Sequence, residues 1–282
     1  MSQLIKSIQI LMIKNIKKKI KYFDVSLRDG LQSQNRIYTL NEKKDLLHKI
    51  IDIYKPQSIE IGSLVSSKVL PQMDKSIELY KYAESLNKNI DFYLLIPNEK
   101  KLQDSIKDNV KNISLISSFS NSFQLKNIKR SLYDTKKDLL KINNIILQQN
   151  HIKNVKLYLS CFNDCPLEKK IENSIIYDEI KFYHQYTNFN ELCLSDTTGN
   201  LDINNFEILI DNILTIIPKE KISLHLHVNE ENKENTKKIL NYAFLQGIYK
   251  LDISCLEDGG CSMTLDSSKL KGNLHYDLVK DI

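Results

Sequence analysis

Short apolar runs alternate with longer charged stretches along most of this chain, and this alternation constrains the fold more than any other feature. Eight of the apolar runs are expected to form strands: 22–27, 58–62, 92–96, 113–116, 155–159, 192–194, 222–225 and 249–253. The stretches between them favour helices, notably 40–54, 68–86, 131–149, 177–186 and 204–217. About eight strand-plus-helix units predict the α/β class and a single (β/α)8 TIM barrel, with a doubly wound open sheet as the alternative.

The length and the absence of a linker both favour one domain. A chain of 282 residues is long enough for one barrel, which takes about 250 residues. No long stretch rich in glycine, serine or proline marks a boundary. We therefore expect a catalytic barrel domain over 22–282, preceded by an N-terminal extension over 1–21.

Charge and cysteine content narrow the classes of partner and compartment. The net charge of +5 is small and the lysines are scattered, so we expect no nucleic-acid partner. The apolar run near the amino terminus is too short to span a bilayer, so we expect no membrane partner. Residues 1–21 lack acidic residues, as mitochondrial targeting segments do, but they contain lysine instead of arginine. Five cysteines, an odd number, favour a reducing compartment, and we predict a cytoplasmic protein.

The first predicted strand runs directly into Arg28-Asp29-Gly30. A strand end of this kind delivers a cation and a carboxylate side by side. Gly30 can adopt a positive φ without steric cost, so we expect it to turn the chain away while the Asp29 carboxylate stays aimed along the strand.

His225-Leu226-His227 closes the seventh predicted strand. Imidazoles at positions i and i+2 of a strand project from the same face, so both can reach one metal ion; two unrelated polar residues at a sheet rim are the alternative. In a barrel, Asp29 lies at the same mouth and could add an oxygen ligand, with a further oxygen from Asn273. Mixed oxygen and nitrogen ligands suit Mg²⁺ or Mn²⁺, with Zn²⁺ as a further possibility.

Seven stretches occur in a recognisable order. They are Arg28-Asp29-Gly30-Leu31-Gln32, Ile59-Glu60 with 64–73, Ser160-Cys161 with Cys165-Pro166, 195–199, His225-Leu226-His227, Gly259-Gly260-Cys261 and Gly272-Asn273-Leu274. On these stretches the chain resembles the metal-dependent carbon–carbon lyases and synthases that are built on TIM barrels. Within that group it is most similar to the 3-hydroxy-3-methylglutaryl-CoA lyase family, from Lys21 to the carboxyl terminus.

The resemblance implies a reaction and roles for named residues. The expected reaction is a retro-Claisen cleavage of 3-hydroxy-3-methylglutaryl-CoA into acetyl-CoA and acetoacetate, with an acyl-CoA as partner and a possible homodimer. The implied metal ligands are Asp29, His225, His227 and Asn273. The implied catalytic residues are Arg28 at the thioester oxygen, Cys261 as the acid and either Asp196 or Asp24 as the base. Gln32, Glu60 and Thr197 are expected to contact substrate, and Glu60 is also expected to orient Arg28.

Four features depart from the family pattern. The segment 228–232 after the second histidine, the glycine-free loop 262–270 and Cys193 differ from the usual residues, and the chain ends at Ile282, which predicts a truncated C-terminal end. These departures leave two alternatives open. One is a related acyl-CoA lyase or Claisen-type synthase with another acyl substrate, and the other is a catalytically impaired binding protein.

Overall fold

The structure, a computed structural model, describes residues 17–256 and 271–282. Eight parallel strands close into a barrel, in which β8 pairs with both β1 and β7. The predicted (β/α)8 TIM barrel is therefore confirmed. The strands are β1 Lys21–Asp24, β2 Ser58–Ser63, β3 Asp91–Leu95, β4 Asn112–Ser118, β5 Asn154–Ser160, β6 Glu191–Asp196, β7 Ile222–Val228 and β8 Lys250–Ile253.

Helices follow the strands and form the outer layer. They are α1 Leu40–Lys49, α2 Ser76–Ser85, α3 Glu99–Lys107, α4 Asn121–Ile128, α5 Leu132–Ile146, α6 Asn173–Tyr186, α7 Ile203–Ile213, α8 Lys233–Gln246 and α9 Tyr276–Lys280. Several begin at a residue whose side chain accepts a hydrogen bond from the first turn, including Asn98, Ser120, Ser131 and Asp202. Gly247, with φ of +86°, ends α8. Local capping thus explains where these helices start and stop.

The main apolar core lies between the barrel and its helices. Outward-facing strand residues such as Leu94 and Leu157 are fully buried there. The inward-facing residues of the same strands are different, because β5 turns Lys156 and Tyr158 into the barrel interior. A polar interior inside an apolar shell is the frame on which the site is built.

The first strand is shorter than predicted. It ends at Asp24 and is followed by one π-helical turn, Ser26–Gly30, in which the Gly30 N–H bonds to the Val25 carbonyl at 3.1 Å. The expected positive φ at Gly30 is wrong, since among the described glycines only Gly199 and Gly247 adopt one. Val25, just before the turn, and Leu27, within it, are both buried. Their apolar side chains continue the pattern of the strand, which is why the sequence predicted a longer one.

A short strand, Gly272–Asn273, pairs antiparallel with the end of β7 and precedes α9. Among the described residues, no helix is both long enough and apolar enough to cross a membrane. Most of the predicted extension 1–21 lies outside the described residues, as does Cys261. The boundary at residue 21 and the role of Cys261 remain predictions.

Candidate metal centre and active site

A cavity of about 420 Å³ opens at the carboxyl ends of the strands. In TIM barrels this is the face that carries active sites. Both polar and apolar side chains line it. The polar residues that we call the polar wall are Arg28, Asp29, Gln32, Ser160, Ser195, Thr197, His225 and His227. The apolar residues that we call the apolar wall are Val65, Val69, Leu70, Leu95, Pro97, Ile116, Phe123 and Ile128, with the polar Ser63, Asn98, Asn127 and Lys129 also in the lining.

Asp29, His225 and His227 converge on the polar wall. Oδ2 of Asp29 lies 3.8 Å from Nε2 of His225 and 3.8 Å from Nε2 of His227. The three ligand atoms lie within 4.8 Å of one another, and all three residues are buried. The residues come from the π turn after β1 and from the end of β7, so barrel closure brings together positions almost two hundred residues apart.

The outer nitrogens of the two rings are held by other groups. Nδ1 of His227 lies 2.9 Å from the Asp196 carbonyl oxygen, and Nδ1 of His225 lies 3.1 Å from Oδ2 of Asp252. Because both partners are acceptors, each Nδ1 donates, and in the neutral form of each ring the Nε2 lone pair is left for another ligand. Such contacts orient metal-binding histidines in general.

A divalent cation fits this centre. Nε2 of His227 is buried and has no hydrogen-bond partner among the described residues, and the nearby Asp29 oxygen is too distant to bond to it. Burial alone would raise the pKa of Asp29, but the Arg28 guanidinium and the two imidazoles hold it well below its usual range. One carboxylate and two imidazole nitrogens around a common point form a set of donors typical of a divalent metal site.

Asn273, the fourth expected ligand, lies beside this group. It is buried and directly opposite His227 in the antiparallel pair. Directly opposed residues place their side chains on the same face of a ladder, so the Asn273 amide projects on the same side as the His227 ring.

Arg28 is fixed by carboxylates on two sides. Its Nε bonds to Oε2 of Glu60 at 2.5 Å, and its Nη1 pairs with Asp29. Its guanidinium lies 5.1 Å from the centroid of the Tyr158 ring, and the Tyr158 hydroxyl donates to Glu60 at 3.1 Å. Burial would lower the pKa of Arg28, but Glu60 and Asp29 raise it. The result is a permanently charged and rigid donor at the cavity.

The two candidate bases lie in different places. Asp24 points out of the barrel, where its carboxylate accepts hydrogen bonds from the Ser26 N–H and the Tyr276 hydroxyl, and it does not line the cavity. Asp196 lies between two cavity residues, Ser195 and Thr197. Burial raises the pKa of Asp196 to about 6, and its Oδ1 has no hydrogen-bond partner among the described residues. Neither carboxylate lines the cavity itself, but Asp196 lies directly between two residues that do, so the role of Asp196 as the base stays a prediction.

The residues expected to contact substrate also separate. Gln32 and Thr197 line the cavity, and the Thr197 hydroxyl accepts a hydrogen bond from the Cys161 N–H at 2.8 Å. Glu60 does not line it, because it is fully buried behind Arg28 and also accepts from Ser114. Its position is that of a residue that orients Arg28.

Three interior residues were missed by sequence reasoning. Tyr158 lies beneath Arg28, and Lys156 and Asp252 form a buried ion pair behind His225. The sequence contained a signal for the ion pair, because Lys156 and Asp252 each interrupt a strand that is otherwise predicted to be apolar. Charged residues in such strands are almost never buried unless they are paired.

Comparisons with known proteins agree on one family. The model of the HMGL-like family matches residues 19–231. A mitochondrial hydroxymethylglutaryl-CoA lyase of Arabidopsis thaliana is 26% identical over 249 residues, covering 88% of this chain. The chain spans about half of that protein, 51% of its length. A 3-hydroxy-3-isohexenylglutaryl-CoA/hydroxymethylglutaryl-CoA lyase of Pseudomonas aeruginosa is 26% identical over 88% of this chain and 80% of its own length.

Solved structures show the same fold. A crystal structure of hydroxymethylglutaryl-CoA lyase from Pseudomonas aeruginosa matches 94% of this chain and 84% of its own, with a TM-score of 0.82 and 24% identity. An HMG-CoA lyase from Acinetobacter baumannii, in complex with coenzyme A and 3-methylmalate, matches 93% of this chain and 82% of its own, with a TM-score of 0.82 and 23% identity.

Proposed function

The chain belongs to the HMGL-like family, and from this premise we propose that it is a divalent-metal-dependent carbon–carbon lyase that cleaves 3-hydroxy-3-methylglutaryl-CoA into acetyl-CoA and acetoacetate. The observation that carries the proposal is the convergence of Asp29, His225 and His227 at the cavity. Curated relatives are named for this activity. The proposed ion is Mg²⁺ or Mn²⁺, with Zn²⁺ as a further possibility, and Asn273 is the proposed fourth ligand.

The cation supplies one kind of chemistry. When bound, it would polarise the hydroxyl and an adjacent oxygen of the substrate and so lower the pKa of the hydroxyl. The residues Asp29, His225, His227 and Asn273 would hold it. Gln32 and Thr197, which line the same wall, would position the acyl group beside them.

The remaining steps belong to the chain's own residues. Asp196 accepts the proton of the tertiary hydroxyl, a task for which a pKa of about 6 is well suited. The hydroxyl oxygen then becomes the ketone oxygen of acetoacetate, and the carbon–carbon bond breaks with its electron pair moving to the thioester enolate. Arg28 donates hydrogen bonds to the enolate oxygen. The Cys261 thiol protonates the released carbon and completes acetyl-CoA. Asp196 then releases its proton to water and the Cys261 thiolate takes one up from water, so that both groups return to their starting forms.

One experiment tests the whole proposal. Protein stripped of metal with EDTA is incubated with 3-hydroxy-3-methylglutaryl-CoA, and acetoacetate is measured before and after addition of Mg²⁺ or Mn²⁺. We expect product only with metal, and none from His225→Ala. Wild-type protein that forms no acetoacetate with either cation would refute the proposal, and Asp45→Asn, a change at an exposed residue, serves as the matched control.

A second candidate keeps the chemistry and changes the substrate. The apolar wall formed by Val65, Leu95, Ile116 and Phe123 favours an acyl group that carries a larger hydrocarbon branch than methyl. A panel of 3-hydroxyacyl-CoA thioesters with branches of increasing length separates the two candidates. The larger-branch reading requires a higher kcat/KM for a longer branch than for methyl.

A further inference from the structure

Behind the candidate metal centre, a chain of opposite charges runs through the barrel interior. Lys250 pairs with Glu191 at 2.9 Å, Glu191 pairs with Lys156 at 3.0 Å, and Lys156 pairs with Oδ1 of Asp252. The other oxygen of Asp252, Oδ2, faces Nδ1 of His225 at 3.1 Å. This series of ion pairs therefore starts at the first residues of β6 and β8 and ends at the His225 ring, which faces the cavity.

Lys156 is held tightly where it meets Asp252. It is 1% exposed, and its Nζ lies 3.7 Å from the centroid of the Phe23 ring. An ammonium group can only donate hydrogen bonds, so it requires an acceptor at Oδ1. Oδ2 is then left for the His225 ring, with the Cys193 thiol 3.6 Å away as a second donor.

We propose that Asp252 and Lys156 are positioning residues that fix His225 in the form that donates through Nδ1 and offers the Nε2 lone pair to a divalent cation. The inference rests on the proposed metal site. Lys156 acts through Asp252, because its contact with Oδ1 holds the carboxylate in the orientation that presents Oδ2 to the ring. His227 needs no such pair, since its Nδ1 donates to a backbone carbonyl that no substitution removes.

The pair makes a sharp prediction for Asp252→Asn. The new amide must turn its oxygen toward Lys156, so its NH₂ group faces Nδ1 of His225 and forces the ring proton onto Nε2. A ring protonated at Nε2 cannot offer that nitrogen to a metal. In the double variant Lys156→Met/Asp252→Asn the ammonium is gone, so the amide can turn back and restore the original form of the ring.

The test measures Mn²⁺ binding to the metal-free protein through the EPR signal of free Mn²⁺. We expect Asp252→Asn to weaken binding about 100-fold, as removal of a group that orients a metal ligand does, and the double variant to recover about tenfold of it. The matched control is Lys250→Met, which removes the same type of side chain at the far end of the charge chain. It should bind Mn²⁺ within about twofold of wild type, because Lys250 does not contact Asp252.

A second readout reports on the protonation of the His225 ring directly. Long-range proton–nitrogen NMR spectra of metal-free wild-type protein should show His225 protonated at Nδ1, and in Asp252→Asn the His225 signals should change while those of His227 do not. His225 protonated at Nε2 in wild type, or a double variant that binds Mn²⁺ no better than Asp252→Asn, would overturn the inference. Protein that shows the expected ring and Mn²⁺ pattern but no acetoacetate would refute the proposed reaction and leave this inference standing.

Discussion

Two sets of ionisable side chains lie inside the barrel, and they are paired to different degrees. The cavity layer comprises Arg28, Asp29, His225 and His227, and the inner layer comprises Lys156, Glu191, Lys250 and Asp252. In the inner layer each cation contacts a carboxylate, at 3.0 Å or less. In the cavity layer the two ring nitrogens remain 3.8 Å from Asp29, and one of them has no hydrogen-bond partner among the described residues.

The difference shows what each layer can do. Burial works against the charge of Glu191, but Lys156 and Lys250 lower its pKa to about 2. Such closed pairs leave no donor atom for a ligand. The gaps in the cavity layer are too wide for hydrogen bonds and suited to a shared cation. The same residue types therefore form closed ion pairs at one depth and a candidate metal centre at the next.

The largest effect is expected in the cavity layer. Asp29→Asn removes the charged oxygen ligand and should lower kcat/KM for 3-hydroxy-3-methylglutaryl-CoA by about 1,000-fold or more. Its effect on the free energy of unfolding should be smaller than that of Lys156→Ala, because Arg28 keeps Glu60 as partner. Steady-state kinetics with saturating Mg²⁺ and urea unfolding measure the two effects. Activity within tenfold of wild type would remove Asp29 from the metal centre.

The inner layer should respond in stability. Lys156→Ala leaves Asp252 buried without its cation and should lower the free energy of unfolding by about 3–5 kcal/mol. The control is Lys81→Ala, which breaks the exposed pair with Asp108 and should cost less than about 1 kcal/mol. Urea denaturation compares them. Equal losses in the two variants would contradict the distinction between buried and exposed pairs.

Asp24 lies in neither layer. Among the described residues its carboxylate has hydrogen bonds but no ion pair, so it tests how much a buried, unneutralised carboxylate lowers stability. Burial raises its pKa to about 6, opposed by hydrogen bonds from Tyr276 and Ser26. The native state thus binds the proton more tightly than the unfolded chain, so stability should fall as pH rises from about 4 to 6 and then level off. Asp24→Asn should remove this fall and raise stability at pH 8 by up to about 3 kcal/mol.

The measurement is urea unfolding at several pH values between 4 and 8, with Asp45→Asn as the exposed control. Cleavage activity should stay within about twofold of wild type, because Asp24 does not line the cavity. A large loss of activity in Asp24→Asn would return this residue to the catalytic candidates.

The smallest effect is expected behind Arg28. Glu60→Gln keeps the shape of the side chain but removes its negative charge, which weakens the interaction with the Arg28 guanidinium. It also replaces one of the two carboxylate oxygens, which accept hydrogen bonds from the Ser114 and Tyr158 hydroxyls, with an NH₂ group. We expect kcat to fall about tenfold with little change in KM, as for other residues that orient a functional group. Glu84→Gln, in the partly exposed pair with Lys111, is the control. A change confined to KM would assign Glu60 to substrate binding.

The sequence predicted the barrel well, because alternating apolar strands and helix-forming stretches depend on local periodicity. The prediction that His225 and His227 project from the same face of β7 also required only the two-residue repeat of a strand. Two features depended on tertiary context. The π turn was hidden by the buried Val25 and Leu27, and the pairing of Lys156 with Asp252 joins strands that are 96 residues apart. The two-residue repeat of a strand shows that Lys156 points into the barrel, but it does not show which residue of another strand pairs with it.

The π turn after β1 has a consequence for how this segment can vary. In an extended strand, Arg28 and Asp29 would project to opposite sides, whereas this turn lets neighbouring residues pair with each other and face the same cavity. Deleting one residue between Ser26 and Gly30 would convert the wide turn to an ordinary helical one and swing the following side chain by about 100°. A change in the length of this segment is therefore expected to disrupt the site more than a volume-conserving exchange at the buried Val25 or Leu27.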